Sequence, residues 1–128
     1  MLLPDSQILC VEDHEDLGQA LKSFLDSKGY RVTVAPSVTS ALEIAKAARF
    51  SLYILDYHLP DGTGIELCHH IRGFDLSTPI LLYSRSADPQ LRQLALSAGA
   101  QFCLRKTVAP EVLSATVHEL IQTNPFAT

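Results

Sequence analysis

The chain has 128 residues, 47% of them hydrophobic and 19% charged, and a formal net charge of −4. That length suits one domain with a real core and is too short for two, and the composition is that of a folded globule, which excludes a disordered segment. The acidic balance, with no Lys/Arg cluster anywhere, excludes direct nucleic-acid binding by this domain, which would need a basic surface. The first predicted strand, about Gln7 to Val11, carries the apolar run Ile8-Leu9-Cys10-Val11 and ends in Glu12-Asp13. Leu17, Ala20, Leu21, Phe24 and Leu25 follow at helical spacing, and Gly29 suits the left-handed position after that helix. Arg31 to Ala35 alternates polar and apolar, as a half-covered edge strand should. A second helix is predicted from Val38, Ala41, Leu42, Ala45 and Ala48, with Ser37 as its N-cap.

Leu52-Tyr53-Ile54-Leu55 is a continuous apolar run, the pattern of a strand covered on both faces in a parallel sheet. It ends at Asp56, just ahead of the turn-forming segment Leu59-Pro60-Asp61-Gly62-Thr63-Gly64. Gly64, Leu67, Cys68, Ile71 and Phe74 give a third helical stripe. Pro79 then introduces a strand, Ile80 to Ser84. Asp88-Pro89 reads as N-cap and first helical residue, Leu91, Leu94, Ala95 and Ala98 as the stripe, and Gly99 as the stop. Leu96 falls off that stripe and is expected at the surface, where a lone leucine is ordinary. The last strand, Phe102 to Arg105, ends at Lys106. The last helix uses Val112, Leu113, Thr116, Val117, Leu120 and Ile121, and Asn124-Pro125 closes it.

Strand and helix thus alternate five times. This predicts an α/β fold, a doubly wound (βα)5 sandwich of the flavodoxin-like kind, with a five-stranded parallel sheet of order 2-1-3-4-5. That order puts the first and third strands side by side at the topological switch point, where such sheets bind ligands. The residues just past the strand tips are Glu12, Asp13, Asp56, Ser84 and Lys106. Carboxylates gathered together repel unless a cation sits among them, and oxygen-only ligands suit Mg²⁺. A hydroxyl and an ammonium at the same edge can hold phosphoryl oxygens, with Asp56 as the nucleophile that forms an acyl phosphate.

These residues, with Val11-Glu12-Asp13, Ala98-Gly99-Ala100 and the Pro-Asp-Gly turn, resemble the receiver domain of bacterial two-component response regulators, of the chemotaxis-receiver kind. The resemblance covers roughly residues 5 to 122. Residues 1–128 are therefore expected to form a single receiver domain, with 123–128 a tail or the start of a linker. It implies a phosphorylation-dependent switch, not an enzyme acting on a separate substrate. Asp56 would accept a phosphoryl group from a histidine kinase or phosphotransfer protein. Glu12 and Asp13 would hold Mg²⁺, Asp13 more directly, with Asp56 and the backbone carbonyl of His58 as further ligands. Ser84 would move toward the phosphoryl group and Lys106 would pair with it. An output domain or downstream protein would read the switch, and dimerisation through the fourth and fifth helices is an open alternative.

Four departures accompany the resemblance. Cys103 stands where the family usually carries an inward-swinging Tyr or Phe. Thr107 replaces the usual proline after the lysine, which predicts a trans peptide, since a cis bond there would cost ~2.5–4 kcal/mol. Arg85 replaces a small residue after Ser84. His58 and Ser86 occupy positions that influence loss of the phosphoryl group in the family. These departures motivate an alternative, a receiver that binds partners independently of phosphorylation. A third reading, a small Mg²⁺-dependent phosphatase, wants a second acid two residues after Asp56, where His58 stands.

Cys10, Cys68 and Cys103 are odd in number, widely spaced and in apolar surroundings. They are expected as buried thiols in a reducing, cytoplasmic setting, not a disulfide frame. No apolar run approaches the ~20 residues of a membrane span, and the N-terminus lacks the pattern of a secretory signal. His14, His58, His69, His70 and His118 lack ligand spacing and are expected at the surface.

Overall fold

The computed structural model describes residues 6–123. In chain order the elements are β1 Gln7–Val11, α1 Glu15–Ser27, β2 Arg31–Ala35, α2 Val38–Ala47, β3 Leu52–Leu55, β4 His58–Leu59, β5 Gly62–Thr63, α3 Gly64–Arg72, β6 Ile80–Ser84, α4 Pro89–Ala98, β7 Phe102–Arg105 and α5 Pro110–Thr123. Five strands form one parallel sheet in the order β2-β1-β3-β6-β7, which is 2-1-3-4-5 when the strands of this sheet alone are counted. The expected doubly wound flavodoxin-like architecture is therefore present. The two remaining strands, β4 and β5, are a two-residue antiparallel hairpin immediately after Asp56. The expected stop at Asn124-Pro125 lies outside the described residues.

Period-two alternation along each strand sends side chains to opposite faces of the sheet. Leu9, Val11, Tyr53, Leu55, Ile80, Leu82 and Cys103 meet the helices α2, α3 and α4 on one face. Ile8, Cys10, Leu52, Ile54, Leu81, Tyr83 and Leu104 meet α1 and α5 on the other. Each layer buries a continuous apolar surface, which is the dominant favourable contribution to folding.

Local chemistry starts and ends the helices. Ser37 and Ser40 form a capping box at α2, and Thr63 and Glu66 form one at α3. Asp88 accepts from the Leu91 amide at 2.8 Å to cap α4, with Pro89 in its first turn. At α1 the cap is His14, whose Nδ1 accepts from the Leu17 amide at 3.3 Å. Gly29 and Gly99 take φ of 98° and 108° after their helices, a region where L side chains are strained.

Several expected buried stripes are narrower than their hydrophobic residues suggest. On α1 the buried face is Gly18, Leu21 and Leu25, while Leu17 and Ala20 face outward. The reason is close approach to the sheet: a Cβ on Gly18 would stand 3.0 Å from Val34 Cγ1. Ala48 is an extended residue that follows α2, and Phe74 lies past the end of α3, where Lys46 stands over its ring at 5.6 Å. On α4 only Ala95 and Ala98 are buried, because the helix packs on α3 and β7 through small residues, and this leaves Leu94 as exposed as Leu96. On α5 the buried line is Leu113, Val117 and Ile121, with Val112 exposed. All three cysteines are free and buried, and all five histidines are exposed.

Candidate functional site

The β1–β3 register pairs Val11 with Leu55, so the next residues, Glu12 and Asp56, leave adjacent strands side by side. The ladder continues one step past the strands. The Asp56 amide donates to the Val11 carbonyl at 3.0 Å, and the Glu12 amide to the Ala35 carbonyl at 2.9 Å. At the far side the Lys106 amide donates to the Ser84 carbonyl at 2.7 Å. Backbone hydrogen bonds of the sheet thus deliver Glu12, Asp56, Ser84 and Lys106 to one edge. Glu12, Asp56 and Ser84 are 3%, 9% and 4% exposed, and Asp13 is exposed at the rim.

The side chains form a charged cluster. Lys106 Nζ lies 2.6 Å from Glu12 Oε1 and 3.2 Å from Asp56 Oδ1. Asp56 Oδ1 also accepts from the Tyr57 amide at 2.8 Å, and Glu12 Oε2 from the His14 amide at 3.1 Å. One carboxylate oxygen each of Glu12, Asp13 and Asp56 lies within 4.8 Å of the others. Burial by itself would lower the Lys106 ammonium pKa. Its hydrogen bond to Glu12 and the charges of Asp56 and Glu12 outweigh burial and hold it above the ordinary lysine value. The nearby Cys10 thiol is pushed up to about 12, first by burial and then by the Glu12 charge, with Lys106 opposing, so it is no thiolate nucleophile.

One ammonium faces three carboxylates, which leaves negative charge that a divalent cation would neutralise. An oxygen-only donor set with Asp13 open to solvent fits a hard ion that keeps several waters, as Mg²⁺ does. His58 sits on β4, its backbone paired with Thr63, and its ring stands edge-on to Tyr57 with centroids 4.8 Å apart.

The departures take definite positions. Cys103 is buried among Ala87, Ala95 and their neighbours, where burial raises its thiol pKa. Arg85 and Ser86 are exposed, and the Ser86 hydroxyl donates to Asp88 Oδ2 at 3.2 Å. The Lys106–Thr107 peptide is trans, as expected.

Sequence reasoning missed two contributors to this edge. Gly64 packs so close behind Asp56 that its amide reaches the Tyr57 carbonyl at 2.7 Å, and an added Cβ would collide with the Asp56 carbonyl oxygen. Asp61, read only as a turn residue, accepts from the amides of Val38 and Thr39 at 2.7 and 3.0 Å. The Pro-Asp-Gly sequence announces a turn but not the helix that its carboxylate meets.

The sequence model of the response regulator receiver domain matches residues 8–118. Sensor histidine kinase AruS of Pseudomonas aeruginosa is 32% identical over 118 residues, covering 89% of this chain and 12% of that protein. The transcriptional regulatory protein YkoG of Bacillus subtilis is 34% identical over 118 residues, covering 91% of this chain and 51% of that one. The chain thus spans about half the length of YkoG and far less of AruS. Among solved structures, the beryllofluoride-activated N-terminal receiver domain of Klebsiella pneumoniae RstA superposes with a TM-score of 0.87. It is 29% identical and covers 92% of this chain and 100% of that one.

Proposed function

The chain belongs to the response regulator receiver domain family, and on that premise we propose that it is a phosphorylation-dependent switch whose acceptor is Asp56. The observation that carries the proposal is the Lys106 ammonium lying between Glu12 and Asp56, with the Asp13 carboxylate beside them. An Asp56 carboxylate oxygen attacks phosphorus, the P–N bond of a donor phosphohistidine breaks, and the imidazole leaves as the acyl phosphate forms. Lys106, charged well beyond neutral pH, exchanges part of its contact with Asp56 for the incoming phosphoryl oxygens. Asp13 and Asp56, with the His58 backbone carbonyl, would hold Mg²⁺ directly, and Glu12, already tied to Lys106, would complete the anionic wall. When bound, that ion neutralises charge on the phosphoryl group and the carboxylates. Ser84, at the end of β6, supplies the hydroxyl that follows the phosphoryl group.

The donor would be a histidine kinase or phosphotransfer protein, and the reader an output domain or downstream protein. Three buried free thiols suit a cytoplasmic location. The test is exposure to Mg²⁺ with acetyl phosphate, read by intact mass, and with beryllofluoride, read by NMR. A single phosphoryl adduct that disappears in Asp56→Asn is expected. No adduct and no spectral change in the wild-type protein would sink the reading.

A further inference from the structure

The hairpin that follows Asp56 is tied to a helix on the other side of the site loops. Its strands β4 and β5 pair His58 with Thr63 and Leu59 with Gly62, leaving Pro60-Asp61 as the turn. Asp61 Oδ1 accepts from the Val38 amide at 2.7 Å, and Oδ2 accepts from the Thr39 amide at 3.0 Å and the Thr39 hydroxyl at 2.8 Å. Those amides open α2, and an N-terminal turn carries positive partial charge from unpaired N–H groups. The hairpin tip also sits tightly there: a Cβ on Gly62 would stand 3.3 Å from Val38 Cγ2.

We propose that Asp61 is a positioning residue for the acidic site, holding the 56–58 backbone in the geometry that binds Mg²⁺. The proposal rests on the reading of Asp56 as acceptor. Two observations separate this role from simple helix capping. First, α2 already has a cap in Ser37, whose hydroxyl accepts from the Ser40 amide at 3.1 Å. Second, the same corner holds the other half of the site, since the Glu12 amide donates to Ala35 at 2.9 Å, three residues ahead of Val38. Residues 35–39 therefore hold the Glu12-Asp13 loop on one side and the Asp56 hairpin on the other. Cutting the Asp61 link frees the hairpin, so the 56–58 segment must be ordered again each time an ion binds. The loss appears as weaker ion affinity, because groups that fix ligands affect binding without touching the metal.

The full chain is compared with Asp61→Ala, Asp61→Asn and Thr39→Val in Mg²⁺ titrations followed by calorimetry or NMR. Acetyl phosphate rates are measured at limiting and saturating Mg²⁺. We expect Asp61→Ala to weaken Mg²⁺ binding about 10-fold, with phosphorylation slow at limiting Mg²⁺ and restored at saturation. Asp61→Asn, which keeps one acceptor, and Thr39→Val, which loses only the hydroxyl bond, should shift in the same direction by less. A lower unfolding midpoint with unchanged Mg²⁺ affinity would make Asp61 a helix cap and overturn the proposal. If Asp61→Ala does not fold, unchanged affinity in both milder variants has the same force. A wild-type chain that neither binds Mg²⁺ nor forms the Asp56 adduct overturns the functional reading and this role together. A responsive wild type with indistinguishable variants overturns this role alone.

Discussion

Asp56 shares its strand edge with two other carboxylates and one ammonium, so the metal-free site carries uncompensated negative charge. Like charges this close oppose folding. Asp56→Asn should therefore raise the stability of the metal-free protein, by about 1 kcal/mol, while abolishing the rise in thermal midpoint that Mg²⁺ gives the wild type. Paired thermal melts with Mg²⁺ and with EDTA measure both. Lys106→Met acts in the opposite sense, because Glu12 is almost fully buried and would lose its 2.6 Å partner. Stranding a buried charge costs about 3 kcal/mol or more, and urea titration should show that loss. Gly64→Ala places a methyl against the Asp56 carbonyl oxygen and 2.9 Å from Leu82 Cδ1. Overpacking of this kind costs about 1–3 kcal/mol, and here the displaced backbone is the acceptor's own, so the variant should also be phosphorylated more slowly by acetyl phosphate.

At the scale of elements, the helix boundaries rest on short-range chemistry. Asp88 and Pro89 begin α4 as their order in the chain predicts, and Asp88→Ala, which removes the acceptor of the Leu91 amide, should lower the midpoint of chemical denaturation. Helix phase was harder to read than helix position. Leu17, Leu94 and Val112 are hydrophobic at roughly helical spacing, yet the faces that pack are Gly18-Leu21-Leu25, Ala95-Ala98 and Leu113-Val117-Ile121. In α1 and α4 the helix sits close to its neighbours, so glycine and alanine occupy the contact and the larger residues turn outward. A reading weighted by side-chain hydrophobicity assigns these small residues too little, which rotates the predicted face.

For the whole molecule, stability against acid has an identifiable source at the opposite end of the sheet from the acceptor. Burial by itself would raise the Asp75 carboxyl. Bonds from the Thr78 amide and hydroxyl, the Ser77 amide and the Tyr53 hydroxyl outweigh it and hold the group below the ordinary aspartate value. A carboxyl whose folded pKa is depressed contributes stability above its unfolded value, about 3.9, and loses it as pH falls through the lower folded value. Asp75→Asn should therefore be less stable than wild type near neutrality, and the gap should close below about pH 4. Urea titrations of both proteins across that range would show it; a gap independent of pH would assign the loss to geometry and not to charge.

Five alternating strands and helices, carboxylates and a lysine at strand tips, and the turn after Asp56 were legible along the chain, because periodicity, caps and turns are properties of neighbouring residues. From these the sheet order followed through the handedness and spacing rules of parallel α/β folds. The pairings that make the tips into one site are different in kind. Lys106 meets Glu12 across 94 positions, and Asp61 meets Val38 across 23. Such contacts depend on how far each strand runs past its neighbour and how closely each helix settles on the sheet, which no local pattern records. Chain order alone determined which residues reach the edge; only the folded sheet decided that Lys106 lies between two carboxylates and that the acceptor's hairpin is held by a helix.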